Sequence, residues 1–170
     1  MPMKTSTRFV KAAILNTCVA LVLCFLCEAL ALYVFKTADA SNGWIWPMFF
    51  INFVVSWCIA TILGMIPGIV DMGFNWAMKR SNPSEGAKFG ALINVPINTV
   101  YSVILCFIIG TLDACVLGGA PFIPVAFIGF AQNIIPVWIA CYIVTFLLNG
   151  PIENLARKIC NDPVPEMPQH

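Results

Sequence analysis

Four stretches of this sequence, roughly residues 9–35, 44–70, 88–117 and 121–149, each run on with no more than two charged side chains. A helix that crosses the ~30 Å hydrocarbon layer needs about 20 apolar residues, and all four stretches meet that length. The runs are continuous rather than alternating, which excludes a multi-strand barrel. What lies between them is too short for a soluble domain. Composition agrees: 60% of the chain is apolar, 10% is charged, and the mean hydropathy is +0.89. Soluble domains are nearer 45–50% apolar and about 25% charged. The expected fold is therefore all-α, a polytopic membrane protein of four transmembrane helices.

Charge placement gives the orientation. With an even number of crossings, both termini and the middle loop, residues 71–89, share one side. Lys4, Arg8, Lys11, Lys79, Arg80, Lys88, Arg157 and Lys158 fall there, against Lys36 alone on the other. Basic residues favour the cytoplasmic side, so the expected location is the inner membrane with both ends in the cytoplasm. These cations would also attract anionic lipid headgroups there. Ala29-Leu30-Ala31 after a basic start has the outline of a signal cleavage site, but the apolar run is long for a signal core, and it is read as a span. The Trp44 and Trp46 pair suits a membrane interface, and Pro47 a helix start. The Pro-rich end, residues 161–170, reads as a disordered tail.

Within the third stretch every fourth residue is small or polar: Gly86, Gly90, Asn94, Asn98, Ser102, Cys106, Gly110, Ala114 and Gly118. The second stretch repeats the device with Ser56, Ala60, Gly64 and Gly68. Apolar side chains gain nothing by leaving lipid, so membrane helices associate through small residues and interhelical hydrogen bonds. These notches are expected to be the packing surfaces. A step of four drifts by about 40° per step, so only three or four notches share a face.

A shift of 78 residues lays Asn16 on Asn94 and Ala13 on Ala91; with small gaps, Phe50, Ile51 and Phe53 then meet Phe127, Ile128 and Phe130. This suggests two tandem helical hairpins of parallel orientation, residues 1–80 and 81–160. The unit has Arg8, Asn16, Trp46, Phe50, Phe53, Pro67 and the Lys79-Arg80 pair. On these residues it resembles the small bacterial inner-membrane proteins of domain-of-unknown-function family 2798, which occur as one or two such units. The resemblance implies the hairpin architecture and brings no activity with it.

Chemistry-bearing residues are few. Cys24-x-x-Cys27 directly precedes Glu28, a spacing that suits a thiol-redox or metal site; packing of small apolar side chains is the alternative. The single histidine is His170. No phosphate loop, nucleophile elbow or zinc motif occurs, so no metal, cofactor or catalytic residue is assigned. Quinone-linked disulfide-forming enzymes share the topology but need cysteine pairs in the outer loops, where this chain has none. Asp71 and Asp113 sit at opposite membrane faces and cannot form a peptidase dyad. Glu28 lies inside the outer part of the apolar layer and would face the bundle, a cavity or Lys36. Asn16, Asn94 and Asn98 serve either as interhelical glue or as cavity walls, and Gln132 and Asn133 face the same choice. Pro67, Pro96 and Pro136 interrupt three helices.

The reading with most support is a small carrier or permease-like protein, its path formed by Asn16, Glu28, Asn94, Asn98 and Asp113, functioning singly or as a homo-oligomer. A non-catalytic membrane assembly subunit is the alternative. A thiol-redox enzyme using Cys24 and Cys27 comes third. No nucleic-acid partner is expected.

Overall fold

The computed structural model describes residues 3–36, 45–117 and 122–163. The outer loop around Trp44, the Gly118 to Pro121 turn, the Ala114 side chain and the tail from residue 164, His170 included, lie outside the described residues. Every regular element described is helical: α1 (Thr5–Ala29), α2 (Trp46–Met65), α3 (Pro67–Met78), α4 (Ala87–Thr111) and α5 (Phe122–Ile159). α1 runs on into a turn of π-helix at Leu30–Val34, and α4 does the same at Leu112–Leu117. Four helices are long and apolar enough to cross a membrane, as the apolar runs required. Large apolar side chains such as Phe50, Ile62, Phe127 and Ile135 point outward, the surface expected of a multi-pass membrane protein.

The second apolar stretch departs from expectation. One helix to about Val70, interrupted at Pro67, and then a loop to Phe89 were expected; instead, Ile66 is extended (φ −81°, ψ 110°), α2 stops at Met65 and a separate α3 follows. The residue before a proline is pushed out of the helical region, and Pro67 then opens α3 in the first turn, where its missing N–H costs nothing. Asp71 lies within α3 rather than closing α2. Beyond α3, Pro83–Glu85 form one 3₁₀ turn in which the Asn82 and Glu85 side chains each bond the other's backbone N–H. The Lys88 ammonium, helped by the Asn82 N–H, holds the Glu85 carboxyl down to about 2. Pro96, Pro136 and Pro151 are absorbed without ending their helices. α5 continues to Ile159, about ten residues past its expected end.

α2 packs antiparallel on α1, α5 lies antiparallel along both α1 and α4, and α3 lies along α4. α1 and α4 therefore face each other across the bundle rather than touching along their length. The Ile66–Pro67 break lets one apolar stretch serve two neighbours. Gly64, at its end of α2, abuts Ala12 of α1, whereas Gly73 of α3 sits so close to α4 that a Cβ there would stand 2.7 Å from the Ile93 carbonyl oxygen. Phe74 and Phe89 seal the α3–α4 contact edge to face at 5.5 Å.

Corresponding features recur along the chain at a spacing of 82 in the first helix of each hairpin and 81 in the second. α1 and α4 are both 25 residues long, and the two π-helical turns begin at Leu30 and Leu112. Trp57 Nε1 donates to Thr17 Oγ1 at 3.0 Å, and Trp138 Nε1 donates to Thr99 Oγ1 at 3.0 Å. Each threonine in turn donates to the carbonyl four residues earlier in its helix, at 2.8 Å. The buried residues obey the same spacing: Leu23 with Leu105, Cys24 with Cys106, Ser56 with Val137 and Ala60 with Cys141. On this register Asn16 pairs with Asn98, not with Asn94 as the shift of 78 placed it.

The notched stripes are packing surfaces only in part. Asn98, Ser102, Cys106, Ser56 and Ala60 are buried, and Gly110 approaches the Gly129 backbone within 3.9 Å of a would-be Cβ. A Cβ at Gly68, Gly86 or Gly90 would meet nothing within 4 Å. The drift of a four-residue step carries the ends of each stripe off the shared face. Gly86 serves the chain path instead. Its φ of +51° turns the backbone into α4, a conformation that glycine adopts without strain.

Candidate functional site

The two chain ends meet at one end of the bundle. Asp162 Oδ2 accepts the Lys4 backbone N–H at 3.0 Å and the Thr7 hydroxyl at 2.8 Å, tying the start of α1, which has no side-chain cap of its own, to the end of α5. The Lys4 ammonium donates to the Asn161 carbonyl at 3.0 Å. Those bonds, led by the Lys4 N–H, hold the Asp162 carboxyl below the usual carboxylate range. One turn further in, Glu153 takes Lys11 at 2.7 Å on one oxygen and Arg157 at 3.0 Å on the other. The disordered tail was expected from residue 161, but Asn161 and Asp162 are ordered against α1.

Behind this clasp a cavity of about 240 Å³ opens among α1, α4 and α5, with Gly64 and Val70 from the broken α2–α3 rod completing the wall. That is room for about eight waters at ~30 Å³ each. Its polar lining comprises Asn16 on α1, Asn94, Asn98, Tyr101 and Ser102 on α4, and Thr145 and Asn149 on α5; Arg8 and Lys11 stand at the clasp end. Asn98 and Thr145 have bonds of their own, Asn98 Nδ2 to the Trp138 carbonyl at 2.9 Å and Thr145 Oγ1 to the Cys141 carbonyl at 2.8 Å. Asn16, 5% exposed, makes no hydrogen bond among the described residues, and neither does Ser102 Oγ at 1% exposure. Thr61 and Thr111 also have buried hydroxyls without a partner among the described residues, but of the residues in that position Ser102 is the one that borders the cavity, where a bound molecule could satisfy it.

The five expected path residues thus divide. Asn16, Asn94 and Asn98 share the cavity. Glu28 and Asp113 lie beyond it, past the core of Leu23, Cys24, Leu105, Cys106 and Val137. There Glu28 accepts the Ile45 N–H, rather than pairing with Lys36, and Asp113 accepts Asn52 Nδ2 at 3.0 Å. Gln132 and Asn133 stand outside the cavity lining, and Asn133 bonds the Gly129 carbonyl of its own helix at 3.0 Å. Cys24 and Cys27 are free thiols; Cys24 belongs to that core, with Cys106 and Cys141, and Cys27 packs against it. Among the described residues no three His, Cys, Asp or Glu side chains are placed to hold a metal. Sequence reasoning passed over Thr145 and Asn149, although Cys141, Thr145 and Asn149 step by four along one face of α5. It also read Arg8 as a topology signal, a headgroup contact and part of the family likeness, not as a cavity residue.

Comparison with protein-family models, curated proteins and solved structures finds no match to this chain.

Proposed function

We propose that this integral membrane protein is a small carrier, with the cavity among α1, α4 and α5 as its ligand site and the clasp end, rich in Lys and Arg, facing the cytoplasm. The observation that carries this reading is Ser102, whose buried hydroxyl has no partner among the described residues, lining one cavity with Asn16, which makes no hydrogen bond among them either. Polar residues kept inside a membrane bundle without partners are costly and mark ligand or ion paths. Beyond Ser102 the apolar core stops the cavity, so the described state opens toward the clasp end. Glu28 and Asp113 then stand where the opposite state would open. A protein serving only as a helix-packing subunit needs no such cavity, since glue residues bond one another.

The test is sided labelling in sealed vesicles. Ser102→Cys, read by peptide mass against the unsubstituted protein, should react with an impermeant methanethiosulfonate applied at either face. Reaction from the clasp face alone would make this a one-sided pocket and refute carriage. No reaction from either face would refute a wet cavity.

A further inference from the structure

We infer that the cavity takes an amphipathic anion, its acid group held by Arg8 and its apolar body lying along Leu15, Val19, Ile97 and Leu105. The inference rests on the cavity being a ligand site and adds the class of ligand. Two cations line the space, Arg8 and Lys11, and no acidic side chain does. Lys11 is already matched by Glu153. The Arg8 guanidinium makes no hydrogen bond or ion pair among the described residues, and it is only partly exposed. A guanidinium offers a planar fork of donors fitted to a carboxylate or phosphate, and it cannot lose its charge to relieve the mismatch. The carboxamides of Asn94 and Asn149 supply further donors on facing helices. Deeper in, Leu15, Val19, Ile97 and Leu105 line the space beside Asn16, Asn98 and Ser102, with no further charge, so the ligand has one charged end and a largely hydrocarbon body. A free organic acid and an anionic lipid present this same chemistry.

The experiment is calorimetric titration of the full chain in phosphatidylcholine discs with octanoate, and with octan-1-ol as its neutral match. Octanoate should bind and octanol should bind at least about tenfold more weakly, the difference a charge-assisted bond makes. Arg8→Gln should weaken octanoate by a similar factor, Arg8→Lys should retain part of the affinity, and Arg80→Gln should change nothing, because Arg80 lies over Trp76 outside the cavity. Adding phosphatidylglycerol to the discs separates the sources: competition with octanoate identifies a bilayer lipid as the occupant, and unchanged binding identifies a free acid. Equal binding of acid and alcohol, no binding of either, or full affinity in a folded Arg8→Gln would overturn the anion assignment. Ser102→Cys labelling reports on the cavity whatever the titration gives, so the two readings fail separately.

Discussion

Gly68 and Gly73 belong to the same short helix and offer the same substitution with opposite outcomes. Alanine at either position gains helix propensity, up to about 1 kcal/mol in a helix interior and less at Gly68 in the first turn. At Gly68 the new methyl meets nothing within 4 Å. At Gly73 it would stand 2.7 Å from the Ile93 carbonyl oxygen and 2.8 Å from two carbons of Ile97. The Ile97 side chain could turn aside, but the carbonyl belongs to the backbone of α4, so α3 must lift. Overpacking of this kind costs about 1–3 kcal/mol. The propensity gain is the larger at Gly73, so the gap between Gly73→Ala and Gly68→Ala is the steric cost of about 1–3 kcal/mol reduced by up to about 1 kcal/mol of propensity. Equilibrium unfolding from a mild detergent into dodecyl sulfate, followed by tryptophan fluorescence, measures both. Gly73→Ala more stable than Gly68→Ala by about 0.5 kcal/mol or more, the propensity gain with no steric cost against it, would refute the close α3–α4 contact.

Other consequences can be measured in the same assay. Trp57→Phe and Trp138→Phe each delete one indole donor to a threonine in the partner helix; each should cost about 0.6–1.7 kcal/mol, the range of membrane hydrogen bonds. The Asp162 carboxyl is held below its ordinary range, so its contribution is complete above the unfolded value near 4 and fades as pH falls through the lower folded value. The midpoint should therefore drop on acidification in that window, and Asp162→Ala should lower it at neutral pH and blunt the acid dependence. Lys11→Glu should destabilise the clasp and Lys11→Glu with Glu153→Lys should recover part of the loss, since the two side chains meet at 2.7 Å. Failure of the double variant to recover anything would mean that this ion pair contributes little.

The four crossings were legible because a continuous apolar run has one reading in a bilayer. The interruption at Pro67 was legible too, but not that it ends one helix and opens a second. A proline in an apolar run can open, kink or end a helix, and only the presence of α4 beside residues 67–78 decides among these. The packing stripes were legible at their middles, Ser102 and Ser56, and misleading at Gly68, Gly86 and Gly90, where the drift of a four-residue step turns them away. The correspondence between the two halves of the chain shows the same ambiguity in miniature. Asn94 and Asn98 are one helical turn apart, so either can be laid on Asn16; the tryptophan–threonine bonds favour Asn98. For the site, the polar residues could be named individually, but their meeting depends on α1 and α4 facing each other across the bundle. Glu28 and Asp113 were rated by depth alone, whereas what separates them from the asparagines is the intervening core.

The tie at the start of α1 has a consequence for the order of assembly. Each hairpin contains its own tryptophan pin and can close as soon as its second helix is made, without help from the other. The start of α1 must wait, because the carboxylate that ties it lies 158 residues downstream. Until the ribosome has delivered that carboxylate, the Lys4 amide and the Thr7 hydroxyl at the start of the first helix lack the partner they share in the folded protein, and the vessel has no rim. Closure of the clasp is thus the last local step, and shortening the chain before Asp162 should leave both hairpins formed around an unlatched mouth.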